Sequence, residues 1–425
     1  MKLTQEQQAI LDGKKGETQA KVMETLVRYG ELFGADEMVP ITSKYNHLVT
    51  SFGLKALGAV YSLLDQLIDA GAVSKQEFSA DPRPLDKNIP ANLLEKFVFN
   101  NFMYTKQEEY EKQLEKLGLM NKNAFTCTAY MPEVGNVPNK GDILSWSESS
   151  AVVYANSVLG ARCNRNSGII DIMGSIAGFV PSFGLLKDEG RKATWVVRIE
   201  TSKKPEAQLL GSAIGMKVVE DVPYIIGLDK YLNSKLDDDA KAYLKDFGAA
   251  TASNGAVGLY HVENITPEAV EQGRALIAEG AREYVIDDAE LQRVYDSYPV
   301  IWKNKDAKPK LCFIGCPHLS KAQLKGWSHD IKKALEANGR RKVAIPTVLT
   351  TAPDVLEAFK KEKEYQDLVN AGVILSYICP LMYMNNPICQ KVPTITSSNK
   401  LRTYTSARYY KDAELLEIIT GGRNR

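Results

Sequence analysis

The chain has 425 residues, with 53 Lys+Arg against 52 Asp+Glu and a formal net charge of +1. That balance excludes nucleic-acid binding by bulk charge, which needs a basic excess or patch. With 44% apolar and 25% charged residues, the composition is that of a globular protein and not of a disordered one. At roughly 100–200 residues per domain, the length predicts two or three domains.

The six cysteines are Cys127, Cys163, Cys312, Cys316, Cys379 and Cys389. A disulfide framework belongs to short secreted chains, and the N-terminal stretch MKLTQEQQAI shows no apolar signal region. The most apolar stretch, Ile169 to Leu186, carries Asp171 and is too short to span a bilayer. The expectation is a cytoplasmic protein with reduced thiols and no membrane partner.

In chain order, residues 4–35 read as helical, with Thr4 as cap and Gly30 as stop. Residues 53–71 form an amphipathic helix with Leu54, Leu57, Val60, Leu63, Leu64 and Leu67 at helical spacing. Residues 90–120 are helical, with a solvated charged face around Lys106–Lys116. Strand-like runs follow at Ala124–Ala129, Ala193–Glu200, Val222–Ile226, Gly255–Val262, Leu311–Gly315, Ala344–Leu349 and Gly372–Ile378. Helices are expected between them at 205–216, 237–249, 266–281, 320–338 and 353–371. The alternation predicts an α/β fold with mostly parallel sheets. The polar run Ile301–Lys310 reads as a linker. The chain then divides into a mainly helical region (1–122), an α/β domain (123–304) and a second α/β domain (305–425).

Three cysteines sit at or near the end of an apolar run, just before a proline-marked break. They are Cys127, Cys316 (before Pro317-His318) and Cys379 (before Pro380). Sites assemble at the carboxyl ends of strands in open α/β sheets. Three thiolates there can hold iron or a cluster and leave one position open. The plainer reading is burial, because free cysteine behaves as a small hydrophobe and none of these forms a CxxC pair. Cys312, Cys163 and Cys389 are expected to be packing residues.

Residues 147–165 begin with hydroxyls at a helix start (Ser147, Ser149, Ser150). Asn156 is one heptad after Ser149 on the same face, and Arg162, Asn164 and Arg165 follow. Such a segment suits an anionic group, although an N-cap with small-residue packing explains it as well. His47, His318 and the polar turn Ser397-Ser398-Asn399-Lys400 complete the candidates.

Taken together, these segments resemble the large subunit of the aconitase X family, a branch of the aconitase superfamily. The resemblance is carried by Thr126-Cys127-Thr128 with Tyr130, Glu148 through Arg162, Gly255-Ala256-Val257 with His261, and Thr266-Pro267-Glu268. Phe313 through His318, Cys379-Pro380 and Ser398-Asn399-Lys400 complete it. It implies an aconitase-like multi-domain α/β core lacking the small swivelling domain. It implies iron ligands at Cys127, Cys316 and Cys379, for a mononuclear iron, a [2Fe–2S] or a [4Fe–4S] centre. The family usually has threonine at Cys163 and proline at Ala129, and Lys44-Tyr45-Asn46 is an unusual approach to His47.

The implied reaction is dehydration of a small hydroxy acid. Iron acts as Lewis acid on the leaving hydroxyl, and a base removes the proton beside the carboxylate. Fixed donors then stabilise the developing charge. Ser149, Ser150, Asn156, Arg162, His318 and Lys400 are the expected catalytic residues. The base resembles a serine on a separate small subunit that closes like a lid. The expected substrate is cis-3-hydroxy-L-proline. The alternative is mevalonate 5-phosphate, whose phosphate calls for a further basic cluster that does not stand out in the sequence. An alternative of another class is a non-catalytic iron–sulfur binding protein.

Overall fold

The computed structural model describes residues 1–422 apart from Lys87 and Pro90. Pro90, the first residue of the expected 90–120 helix, therefore lies outside the described residues, as do residues 423–425 of the expected C-terminal domain.

Two parallel sheets form the frame. One has four strands in the order His261–Val262, Pro223–Ile226, Ala193–Ile199 and Ile277–Ile286. All its pairings are parallel. The other has five strands in the order Ile374–Ser376, Thr347–Thr351, Leu311–Leu319, Thr394–Thr396 and Arg408–Tyr409, again parallel throughout. The strand Leu311–Leu319 is buried along its full length, as a central strand covered on both faces must be. Helices cross over between the strands. Lys321–Ala337 starts at Ser320, whose hydroxyl forms a capping box with Gln323. Asp238–Asn254 starts at the Asp237 cap.

One apolar cluster spans both sheets, from Val197 and Ile225 to Ile314 and Leu349. A second joins the N-terminal helices Glu17–Leu32 and Gly58–Asp69 to Ile172 and Ile176 of the helix Gly168–Ala177. A third gathers Phe99, Tyr104, Phe313, Cys316, Met382 and Tyr383. No helix among the described residues is long and apolar enough to cross a membrane.

The structure departs from several expected elements. The run Ala124–Ala129 is not a strand; only Phe125 forms a bridge, to Ala80. The expected 266–281 helix stops at Gln272, after which Ile277–Ile286 is an edge strand. Its charged residues Glu279, Arg282 and Glu283 face solvent, so its sequence imitates a solvated helix. The 4–35 region splits into Gln5–Leu11 and Glu17–Leu32. The break contains Gly13 and Gly16, both with positive φ.

Candidate active site

The strand Leu311–Leu319 bends where it delivers Cys316. Gly315 has φ +107°, and a Cβ there would stand 2.4 Å from the Thr350 carbonyl oxygen, so only glycine fits. The ladder to Thr347–Thr351 slips at the same place. The Cys316 carbonyl accepts from Gln208 Nε2 at 3.2 Å and from the Ser398 hydroxyl. Cys379 precedes the short helix Pro380–Met384, and its N–H donates to the Arg83 carbonyl at 2.8 Å. Cys127 lies in a loop. The three segments thus end at one place although they differ in local structure.

All three cysteines line one cavity of about 240 Å³, together with Glu148, Ser149 and Lys400. All six cysteines of the chain are free. Burial pushes the three cavity thiols up. The other three pack as expected. Cys312 and Cys163 are fully buried and Cys389 nearly so.

The charged partners come from far apart in the chain. Glu148 caps the helix Ser149–Tyr154 by accepting the Ala151 N–H at 2.6 Å. The Lys400 ammonium donates to Glu148 Oε1 and, at 3.2 Å, to the Ser150 hydroxyl. Ser150 in turn donates to Glu148 Oε2 at 2.6 Å. Burial opposes both charges, but each outweighs that cost for the other. Glu148 is held below the usual carboxylate range and Lys400 above the usual ammonium range. Asp81 also lines the cavity. Its Oδ1 is buried with no hydrogen-bond partner among the described residues. Burial and the Glu148 charge push Asp81 well above the usual range.

Similarity to known proteins agrees with this arrangement. Residues 1–189 match the model of the aconitase X first domain and residues 193–296 that of the second. The chain belongs to the aconitase X family. It is 33% identical over 359 residues to the phosphomevalonate dehydratase large subunit of Thermococcus kodakarensis, covering 83% of this chain and 81% of that one. It is 27% identical to the cis-3-hydroxy-L-proline dehydratase of Pseudomonas aeruginosa, covering 82% of this chain and 56% of that one. A crystal structure of Thermococcus kodakaraensis aconitase X in its holo-form superposes with a TM-score of 0.80 at 29% identity, covering 99% of this chain and 100% of that one. The chain is accordingly a hydro-lyase of the aconitase X family.

Aconitase-like relatives imply an iron or iron–sulfur centre. As placed, no group of three or more His, Cys, Asp or Glu side chains among the described residues stands at metal-holding spacing. The donor chemistry fits: three soft sulfurs facing one cavity suit such a centre.

Not every expected aconitase X site residue reaches the cavity. Asn156 is fully committed to the fold. Its Nδ2 donates to the carbonyls of Cys163 and Gly258, both at 2.8 Å, and its Oδ1 accepts the Cys163 N–H at 2.9 Å. Arg162 points to the surface, where it donates to the Leu186 carbonyl at 2.8 Å and pairs with Asp188. The helix ends in a wide turn at Ala155–Leu159 and a left-handed Gly160, which turns both side chains away. His318 lines the cavity, but both ring nitrogens are engaged. Nδ1 is 3.0 Å from Thr126 Oγ1 and Nε2 is 3.0 Å from the Ile378 carbonyl. His318 is therefore a structural member of the wall and not a free proton carrier. His47 does not line the cavity; it is fully buried, bonded to Ser79 at 2.8 Å, and burial lowers it to about 4.

Glu148 and Asp81 were not among the expected site residues, whereas Arg165 belongs to the anion-suited segment but not to the expected catalytic residues. The Arg165 charge is felt at Tyr404 and Glu148, and burial lowers its pKa. Its Nη1 is buried without a partner among the described residues. Glu148 was visible as the first residue of the hydroxyl-rich segment. Asp81 had no signal beyond an Asp-Pro step.

Proposed function

We propose that this chain is the large subunit of a phosphomevalonate dehydratase, removing water from mevalonate 5-phosphate together with a small subunit. The carrying observation is the likeness to archaeal large subunits, which for the Thermococcus protein covers 83% of this chain and 81% of that one, whereas 56% of the Pseudomonas protein is matched. The arrangement of charge supports it. Arg165, which interacts electrostatically with the cavity residues Tyr404 and Glu148, is a second cation available to a phosphate substrate.

Cys127, Cys316 and Cys379 would hold the iron or iron–sulfur centre. When bound, iron with an open position supplies Lewis-acid activation of the substrate hydroxyl. In the reaction a proton leaves the carbon beside the carboxylate, the C–O bond at the next carbon breaks, and a double bond forms between them. Lys400, fixed by Glu148 and Ser150, offers N–H donors to the charge that develops on the carboxylate side. Ser149 faces the cavity half-buried and orients the substrate. Glu148 is occupied by its three donors, so the base comes from the small subunit. Closure of that subunit excludes water.

One observation favours cis-3-hydroxy-L-proline instead. The unpartnered Asp81 oxygen suits a ring ammonium. The test is anaerobic co-expression with the small subunit, iron loading, and product analysis with both substrates. Dehydration of mevalonate 5-phosphate is expected. Turnover of cis-3-hydroxy-L-proline alone would overturn the reading, and full activity of the isolated chain would remove the small subunit from it.

A further inference from the structure

One side chain is bonded to all three segments that carry the cavity cysteines. His318 lies two residues after Cys316 in the same strand. Its Nδ1 meets Thr126 Oγ1, next to Cys127, and its Nε2 meets the carbonyl of Ile378, next to Cys379, both at 3.0 Å. Its backbone N–H points at the Cys127 sulfur at 3.3 Å.

The chemistry of the partners fixes the tautomer. A carbonyl oxygen only accepts, so Nε2 carries the proton and Nδ1 accepts from the Thr126 hydroxyl. The Thr126 oxygen also accepts the Thr128 N–H at 3.0 Å, which aims its own proton at the ring. The ring is fully buried, so these two bonds are its polar environment.

The need for such a tie follows from the topology. The Cys127 segment belongs to neither large sheet; among the described residues its one strand-like pairing is the Ala80–Phe125 bridge, and Asn123 Nδ2 donates to Asp354 Oδ1 at 2.9 Å. Cys379 follows the end of the edge strand Ile374–Ser376. Sheet hydrogen bonds therefore fix Cys316 but leave the other two thiols to local contacts.

We propose that His318 is a positioning residue. It clamps the three cysteine-bearing segments so that all three thiols face the one cavity in which an iron or iron–sulfur centre would be held. The proposal rests on the reading of Cys127, Cys316 and Cys379 as ligands. Residues that orient metal ligands change affinity by about 10–100-fold when removed. The backbone N–H at the Cys127 sulfur adds a fixed dipole to the same site.

The experiment uses the co-purified large and small subunits, prepared anaerobically and loaded with ferrous iron. Iron retention against a chelator and the visible and paramagnetic spectra are followed for the unmodified protein, Cys316→Ser, His318→Leu, His318→Gln and Thr126→Val. His318→Leu is expected to retain iron about 10–100-fold less well and to alter the spectrum. His318→Gln, which can donate to the Ile378 carbonyl and accept from Thr126, is expected to restore part of the retention. Thr126→Val removes one of the two ring bonds in a folded protein and is expected to weaken retention by a smaller factor. It carries the test if His318→Leu does not fold. Unchanged retention and spectra in folded His318→Leu, or in Thr126→Val where His318→Leu does not fold, would overturn the clamp. Iron retained by Cys316→Ser as well as by the unmodified protein would instead overturn the ligand reading.

Discussion

The two halves of the segment 148–165 look alike in sequence but have different roles. In the first half, Glu148 and Ser150 bond Lys400, and Ser149 joins Glu148 and Lys400 in lining a cavity that three thiols also line. In the second half, Asn156 joins the backbone of Cys163 and Gly258, and Arg191 bonds the Asn156 carbonyl at 3.1 Å while pairing with Glu268 at 2.7 Å. Both halves are buried polar networks. The first keeps an unsaturated, charged edge toward a cavity. The second is closed on itself and holds the helix end against the core. A buried polar group is thus evidence of a site only where its partners leave something to offer.

The comparison can be broken from its largest expected effect downward. Cys316→Ser is expected to abolish iron binding and dehydratase activity, checked by metal analysis of anaerobically purified protein. Lys400→Met leaves Glu148 buried and unpaired. It is expected to lower kcat by about 10²–10³-fold and stability by about 3–5 kcal/mol. Adding Glu148→Gln should recover stability but not kcat, as calorimetry and steady-state kinetics on both proteins would show.

Asn156→Ala strands the Cys163 N–H and two carbonyls. A loss of about 2–3 kcal/mol is expected, with kcat per folded molecule unchanged. Denaturant titration with active-site counting checks it, and a large drop in kcat would return Asn156 to the site.

Asp171 belongs to the structural side of the comparison. Burial raises it from 3.8 to about 8 against hydrogen bonds from Asn166 and Ser145. A raised carboxyl contributes stability that is present in full below about pH 4 and is lost as pH rises through about 8. The thermal midpoint of the unmodified protein should therefore fall more steeply over that range than that of Asp171→Asn. Equal slopes would place the titration elsewhere. Arg162→Ala is the smallest change, within about 1 kcal/mol, with kcat unaffected.

Much of this is legible in the amino-acid sequence. The parallel α/β alternation, the family resemblance and the division of the cysteines all rest on local signals. Apolar runs, caps and proline-marked breaks are features that short-range sterics and hydrogen bonding impose. The edge strand Ile277–Ile286 was not legible, because its charged outer residues obey solvation and not strand periodicity. The fates of Asn156 and Arg162 were hidden too, since they depend on a wide helical turn at Ala155–Leu159.

The sequence by itself determined which residue types are available and in which local conformations they are delivered. Only the tertiary structure decided which of them meet. Glu148 and Lys400 are 252 residues apart, and His318 reaches Thr126 across 192 and Ile378 across 60. No local rule encodes such pairings. They arise because parallel strands need long crossovers, so residues distant in the chain converge where the strands end.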